Sequence, residues 1–571
     1  MTAPTASRPF VRRLAILPLL IALSTAGVVV AQPDPRVAES IAAVDSLFSW
    51  ATAGTPGCAV AVDRRGERVI DRAYGLADLD GGVPLTPTTR FDVGSVTKQF
   101  VAAAVLLLVE DGRLALDDDI RQYVPELPDP GAVVTLDHLL THTGGVRDWT
   151  GLQMLARGEE TALALTLRQG GLNFAPGAEW SYSNSGYVLL KEVVARVAGA
   201  PFSEVARERL FEPLGMTSTE YAEDPQDGTH GRLAVAYQEV DGRWEPGVLS
   251  RPERGGGGGL LSTARDLLIW NAALEDGRLG AFVTDALQRP ARLQSGREIG
   301  YARGLFLDRI GGHRAVWHSG SAGAYKTLVA RFPEDDLSLA IACNAGDSRG
   351  AMRFAGPIRE QFLPTDKPDA ATEAAGEAAG VDVERWAGLY LSEPGVDGAD
   401  VGEARSDPMR LVEQQGRLRV DGGPWLVPVA ADRLRPVEHT LTFQSDDEVE
   451  LRFASPDAFD LVGSDGRATR YHRADPYAPT AAERKALAGR YESAEVNGVL
   501  VVTAEGDGLT IRLNDSRAFP LTPLARDTYG LGRMTLRFVR DAEGTVVGID
   551  YSTPVLRHLL FPRTPADTTR P

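Results

Sequence analysis

Two periodicities alternate along the first part of the chain. Gly57-Cys58-Ala59-Val60-Ala61-Val62 and Glu67-Arg68-Val69-Ile70 flank Arg64-Arg65-Gly66, and two apolar-rich runs across a glycine turn predict a β-hairpin. A second hairpin is predicted where Lys326-Thr327-Leu328-Val329-Ala330-Arg331-Phe332 and Leu337-Ser338-Leu339-Ala340-Ile341-Ala342-Cys343 flank Pro333-Glu334-Asp335-Asp336. Between them the period lengthens. From Thr97 to Glu110 apolar positions recur at intervals of three and four, which predicts a helix. Strands at both ends with helices between predict one α+β domain over residues 36–363.

Residues 364–383 are rich in Ala, Glu, Asp, Gly and Pro without an apolar period, and read as a linker. Beyond it the pattern becomes short alternating runs broken by Gly, Asp and Pro, and it repeats. Trp386-Ala387-Gly388-Leu389-Tyr390 matches Leu487-Ala488-Gly489-Arg490-Tyr491 at a spacing of 101. Leu426-Val427-Pro428 matches Leu521-Thr522-Pro523, and Thr440-Leu441-Thr442-Phe443 matches Thr535-Leu536-Arg537-Phe538, both at 95. Matches in one order argue for duplication. Two similar antiparallel β domains, small barrels or sandwiches, are expected over 384–473 and 484–565, with a seam at Ala474-Asp475-Pro476-Tyr477-Ala478-Pro479-Thr480.

At the N-terminus Arg12-Arg13 precede an apolar run from Leu14 to Ala31, broken by Pro18, and Val29-Val30-Ala31 offers the small residues of a signal-peptidase site. Residues 1–31 read as an export signal cut after Ala31, with a periplasmic or extracellular product. The rival reading is an uncleaved anchor, for which the run is short of the roughly 20 residues a spanning helix needs. No later segment approaches that length.

Composition is globular, with 43% hydrophobic and 24% charged residues among 571. Net charge is −18, and an acidic surface repels phosphate backbones, which argues against nucleic-acid partners. Cys58 and Cys343 are too few for a disulfide framework or a thiolate zinc site. Lysine is scarce: Lys98, Lys191, Lys326, Lys367 and Lys485 stand against 55 arginines. Each lysine is therefore informative.

Only Lys98 has a serine three residues before it, in Ser95-Val96-Thr97-Lys98 at the start of the predicted helix. That spacing puts Ser95 and Lys98 one helical turn apart on one face. A helix N-terminus favours an alkoxide or oxyanion, and a lysine among apolar side chains loses its proton and can act as base toward the serine. Trp180-Ser181-Tyr182-Ser183-Asn184 places a phenol able to relay a proton, Tyr182, two residues from an amide able to orient substrate, Asn184. In Trp317-His318-Ser319-Gly320-Ser321, Gly320 would let a substrate backbone approach, and the Ser321 N–H could pair with that of Ser95 as an oxyanion hole worth roughly 3 kcal/mol per donor.

Ser-x-x-Lys, Tyr-x-Asn and His-x-Gly in this order resemble the serine β-lactamase and penicillin-binding-protein superfamily, and within it the class C β-lactamase-like branch of D-aminopeptidases, DD-peptidases and esterases. Leu136-Asp137-His138-Leu139-Leu140-Thr141-His142-Thr143-Gly144-Gly145 and the glycine run from Gly255 into Leu260-Leu261-Ser262-Thr263-Ala264-Arg265-Asp266 resemble it too. The resemblance implies a five-stranded antiparallel sheet flanked by helices plus a helical lobe, with the site between them. It implies Ser95 as acylated nucleophile, Lys98 and Tyr182 as acid/base pair, Asn184 as substrate orienter, His318 as a donor in the site wall, and Ser95 with Ser321 as oxyanion donors. No metal or cofactor is implied, and the expected partners are small molecules or short peptides: D-amino-acid peptides, esters or β-lactams. Many β-lactamases of the family carry Lys where His318 stands. A His is largely neutral at pH 7, which lowers the expectation of β-lactam hydrolysis. The two trailing β domains are similar to the barrels of the D-aminopeptidase branch, in which a loop from such a domain reaches the cleft; Asp541 to Gly544 is a candidate loop. Cys58 and Cys343 fall on first and last strands that this family pairs, and are either bonded or two small buried residues.

Three other motifs compete. Gly346-Asp347-Ser348-Arg349-Gly350 fits a nucleophile elbow, but no acid and histidine follow it in an alternating α/β pattern, so it reads as a turn between strand and helix. His138 and His142 are spaced for a metal on one helix face but lack the zincin glutamate. The glycine run lacks the Lys and Ser/Thr of a phosphate loop. The expected function is an exported serine hydrolase that cleaves an amide or ester through an acyl-enzyme, D-aminopeptidase- or DD-peptidase-like first. A carboxylesterase or β-lactamase, a penicillin-binding sensor without turnover, and a binding scaffold are the alternatives.

Overall fold

The structure is a computed structural model that describes residues 35–222, 233–247, 258–346, 349–363, 382–392, 409–414, 417–420, 425–437, 450–462, 468–475, 477–532, 534–553 and 555–565. Residues 1–34, nearly all of the 364–383 segment, Gly255 and Ser348 lie outside these residues.

Helix α1 (Pro35–Leu47) precedes the first hairpin, β1 (Cys58–Arg64) and β2 (Glu67–Tyr74). Helix α2 (Thr97–Glu110) has the predicted bounds, and α3 (Asn184–Ala198) and α4 (Ala264–Asp276) pack around it. Then come β3 (Phe306–Ile310), β4 (His313–Ala322), β5 (Tyr325–Phe332), β6 (Leu337–Cys343) and α5 (Met352–Phe362). The strands form one antiparallel sheet in the order β3-β4-β5-β6-β1-β2. Among the described residues this is six strands where five were expected. The extra edge strand, β3, pairs Phe306 with Trp317 and Ile310 with His313 around Gly311 and Gly312, and the Phe306 and Trp317 rings stack.

Period two along the strands sorts the side chains into layers. Ala59, Ala61, Ala340 and Ala342 face α4, where small residues let the helix approach closely. Val60, Val62, Leu339 and Ile341 face the opposite way, onto α1, Phe48 and the Phe354 and Ile358 side chains of α5. Helix α2 is buried on every side from Thr97 to Leu106, so its apolar content encircles it. Cys58 lies opposite Cys343 in the β1–β6 register, and their sulfurs are bonded.

Both trailing domains are eight-stranded antiparallel meanders. The first is a closed barrel from Gly388–Ser392 to Ala468–Arg473. In the second, from Gly489–Ser493 to β8 (Leu556–Pro562), the first and last strands meet through a Tyr491–Arg563 bridge. The hairpin partner of β8 is β7 (Val546–Thr553).

The two barrels repeat individual contacts. Tyr390 donates to the Trp386 carbonyl at 3.1 Å as Tyr491 does to Leu487 at 2.7 Å. Arg473 and Arg563 each reach the carbonyl before the paired glycine, Ala387 and Ala488, at 2.6 Å, across the space that a side chain at Gly388 or Gly489 would occupy. One sequence match needs correction. The Phe453 N–H donates to the Asp432 carbonyl as that of Phe538 does to Asp527, so Leu451-Arg452-Phe453 is the counterpart of Leu536-Arg537-Phe538. Residues 440–443, matched by sequence, lie outside the described residues.

The two barrels are attached differently. The first barrel's core is drawn from its own residues, among them Trp386, Tyr390, Phe459 and Tyr471. The second barrel's core runs on into the N-terminal domain, where Trp149, Leu152, Leu155, Leu165 and Val188 join Leu500, Leu556 and Phe561 in one cluster.

Candidate active site

Asp92 accepts the Gly94 N–H at 2.8 Å and starts a one-turn helix, Gly94–Val96, that leads into α2. Gly94 has φ 53°, and a side chain there would meet the Ser321 N–H at 2.6 Å, so glycine is required on both counts. The strand answers in kind. A Cβ at Gly320 would overlap the Val93 carbonyl and lie 3.2 Å from the Ser95 nitrogen. Gly320 therefore makes room for the turn that carries Ser95 rather than for a substrate backbone, as the sequence had suggested. The same interlock brings the segments holding the Ser95 and Ser321 N–H groups into contact.

Ser95 is half-buried while Lys98, one turn on, is wholly buried. The Lys98 amine donates to Ser95 Oγ at 3.1 Å and to Asn184 Oδ1 at 2.7 Å, and sits 4.8 Å and 5.5 Å from the Tyr182 and Tyr187 ring centres. Loss of water brings its pKa down to about 7, against the pull of the Asp148 carboxylate and with help from Lys191. Burial acts on the Tyr182 phenol in the opposite sense and holds it protonated, although its hydrogen bond with Ser95 favours the phenolate. Of the two groups facing Ser95, the amine is thus the one that is neutral and basic near pH 7.

Asn184 opens α3 behind the Ser183 N-cap. Its amide is engaged at both ends: Oδ1 accepts from Lys98, and Nδ2 donates to Asp148 Oδ2 at 3.0 Å. The same carboxylate oxygen accepts the Asn184 backbone N–H at 2.6 Å. As arranged, Asn184 aims the lysine, and the second Nδ2 hydrogen is not taken up by Asp148. Asp148 was not singled out from the sequence, although Arg147-Asp148 is a charged pair just past the Leu136–Gly145 framework segment.

His318 also differs from its expected part. It is 1% exposed, its Nδ1 is 2.6 Å from the Ser319 carbonyl, and its Nε2 faces the Tyr301 hydroxyl at 3.4 Å. Burial and the nearby Lys98 bring its pKa down to about 3. It is a neutral part of the wall with both nitrogens turned to protein. His142 completes that wall. Its Nδ1 accepts the Ser183 N–H at 3.1 Å, so Nε2 carries the proton and donates to Tyr301 at 3.1 Å. His138, its partner in the four-residue spacing, instead accepts the Thr135 N–H in a capping box. Ser321 is exposed, and its Oγ accepts from Lys326 at 2.7 Å. Among the described residues no group of three His, Cys, Asp or Glu is placed to hold a metal, and no helix is long and apolar enough to cross a membrane.

The chain has relatives among known proteins. Penicillin-binding protein 4* of Bacillus subtilis is 26% identical over 384 residues, 62% of this chain and 83% of that protein. A D-aminopeptidase of Brucella canis is 24% identical over 534 residues, 89% of this chain and 96% of the relative. A crystal structure of SurE, 22% identical, superposes with a TM-score of 0.50 over 93% of this chain and 99% of that one, which shows a common fold. The Beta-lactamase family model matches residues 44–360, more than half of the chain. The protein therefore belongs to the beta-lactamase family and is a serine hydrolase.

Proposed function

We propose that the protein is an exported hydrolase of D-amino-acid amides or peptides that works through an acyl-enzyme on Ser95. The observation that carries this reading is the buried Lys98 amine, 3.1 Å from Ser95 Oγ with its pKa brought down to about 7. Neutral Lys98 takes the hydroxyl proton as Ser95 Oγ attacks the substrate carbonyl. The backbone N–H groups of Ser95 and Ser321 receive the developing oxyanion. Protonated Tyr182 delivers its proton to the leaving amine or alkoxide and regains one from Lys98, and water then releases the acyl group by the same steps in reverse. The D-amino-acid preference draws on the Brucella canis D-aminopeptidase, matched over 96% of its length. The neutral, enclosed His318 offers no fixed positive charge for a carboxylate and weighs against β-lactams as principal substrates. Export rests on the apolar N-terminal run.

The test compares catalytic efficiency on D-Ala-amide, acyl-D-Ala-D-Ala, nitrocefin and short nitrophenyl esters, for the parent and Ser95→Ala. The amide should rank first. Ser95→Ala should lose at least about 1,000-fold in kcat, since it removes the attacking atom. Undiminished turnover by Ser95→Ala overturns the assignment, and a stoichiometric burst without steady turnover would favour a penicillin-binding sensor, the role in which the relatives include a penicillin-binding protein.

A further inference from the structure

The second barrel touches the catalytic domain along a strip that leads, bond by bond, to the candidate nucleophile. Arg147 is 4% exposed in its side chain and directs its guanidinium to the barrel: Nη1 to Glu495 Oε2 at 2.7 Å, Nη2 to the His558 carbonyl at 2.7 Å, and Nε to the Arg557 carbonyl at 3.1 Å. Glu495 Oε2 also accepts the Gly170 N–H at 3.0 Å. The next residue, Asp148, gives its N–H to the Val555 carbonyl at 3.3 Å and its carboxylate to Asn184, whose Oδ1 holds Lys98. A second arm starts from Arg557, which donates to Glu179 at 2.8 Å, three residues before Tyr182. Asn173 ties the same turn down through Val555 and the Arg557 N–H.

We infer that the β7–β8 turn of the second barrel, with Glu495, is a clamp on the acid/base centre, in which Glu495, Arg147 and Arg557 are positioning residues for Lys98 and Tyr182. The inference rests on the Ser95–Lys98–Tyr182 reading above. Adhesion alone would not need these groups. The apolar contact of Leu556 with Trp149 and Leu152 supplies it, and a buried ion pair adds little net stability while it fixes direction strongly. What is fixed is the Asn184 amide. With its N–H held by Asp148, its oxygen must face Lys98; without that anchor the amide can turn over and present N–H to the amine.

Lys98 is faced by Ser95 from its own turn, by Asn184, Tyr187 and Lys191 from α3, by Tyr182, His142 and Asp148 from the intervening loops, and by His318 from β4. Asp148 raises the Lys98 pKa whereas burial and Lys191 lower it. A loosened Asp148 therefore displaces the acid limb of the rate profile to lower pH and leaves the amine poorly aimed.

The experiment follows the rate at which a fluorophosphonate probe labels Ser95, and kcat and KM on D-Ala-amide, from pH 5 to 9 in the full-length protein. Glu495→Gln should cut kcat and labelling about ten-fold with KM within about three-fold, and move the acid limb down by about 0.5 pH unit; Glu495→Asp should recover part of both. Arg557→Gln, a peripheral substitution that spares the Arg147 pair, should lower kcat without moving the limb. If both Gln variants keep the parent's limb, kcat and labelling rate and lose only thermal stability, the contacts are structural and the clamp is refuted. A parent that labels elsewhere than Ser95 overturns the underlying reading, and the clamp with it.

Discussion

The two barrels share one strand pattern and are joined to the rest of the chain differently. Both keep the tyrosine that bonds the carbonyl four residues back and the arginine that reaches past a glycine. The first keeps a core of its own, while the second shares its core with Trp149, Leu152 and Leu165 of the catalytic domain. The difference teaches that duplicated modules need not diverge in their interior to diverge in role. It is enough that one copy acquires a docking edge, and here that edge carries Glu495, Asn514 and the 555–558 turn. The Asp541–Gly544 loop, a candidate for the same reach, closes on itself through Asp541 and Thr545.

A matched pair of cavity mutations would break the comparison most forcefully. Leu556 and Phe459 are both fully buried. Leu556→Ala should cost about 2–5 kcal/mol and Phe459→Ala about 3–5 kcal/mol. Only the first should take turnover with it, by about ten-fold, when rates are normalised by active-site titration. Equal losses from the two would show that the first barrel also acts on the site.

A smaller effect sharpens the same contrast. In the proposed mechanism Lys98 works when neutral, and its pKa of about 7 lies far below the ordinary 10.5, so kcat/KM should fall about ten-fold per pH unit below 7 and level off above it. The Phe459→Ala profile should overlay the parent's. A limb near 10 in either would show that the lysine is solvated rather than enclosed.

The smallest effect is on stability. Unfolded Lys98 keeps its proton to about 10.5 and the folded one only to about 7, so between these values the unfolded chain binds more protons and stability rises with pH. The burial penalty is then greatest at low pH. Lys98→Met should raise Tm by about 3 °C or more at pH 6 and by less at pH 9, measured by calorimetry, while turnover is lost.

What could be read from the sequence was what is local. The Thr97–Glu110 helix and the hairpins at Arg65-Gly66 and Pro333–Asp335 declare themselves in periods and turn residues only a few positions long. Ser95 and Lys98, likewise, are neighbours on one helical turn. The sixth strand was missed because Phe306-Leu307-Asp308-Arg309-Ile310 is short and half-exposed, and gains its order from pairing with β4. Asp148 was missed for a deeper reason. Its meaning depends on Asn184, 36 positions away, and on Arg147 meeting Glu495 at a separation of 348. No periodicity reports such a meeting. The role of His318 escaped because ring orientation follows from Tyr301 and the enclosing aromatic wall, neither of which its own motif contains.

The link between Cys58 and Cys343 spans 285 positions and joins adjacent central strands. At about 5–20 residues per second a ribosome would expose the first of these strands roughly 15–60 s before its neighbour exists. Through that interval β1 has a hairpin on one side and an open edge on the other, and must be kept from wrong partners. Joining of β6 to β1 is therefore a late, non-local event, and catalytic competence should arrive abruptly rather than grow with the nascent chain.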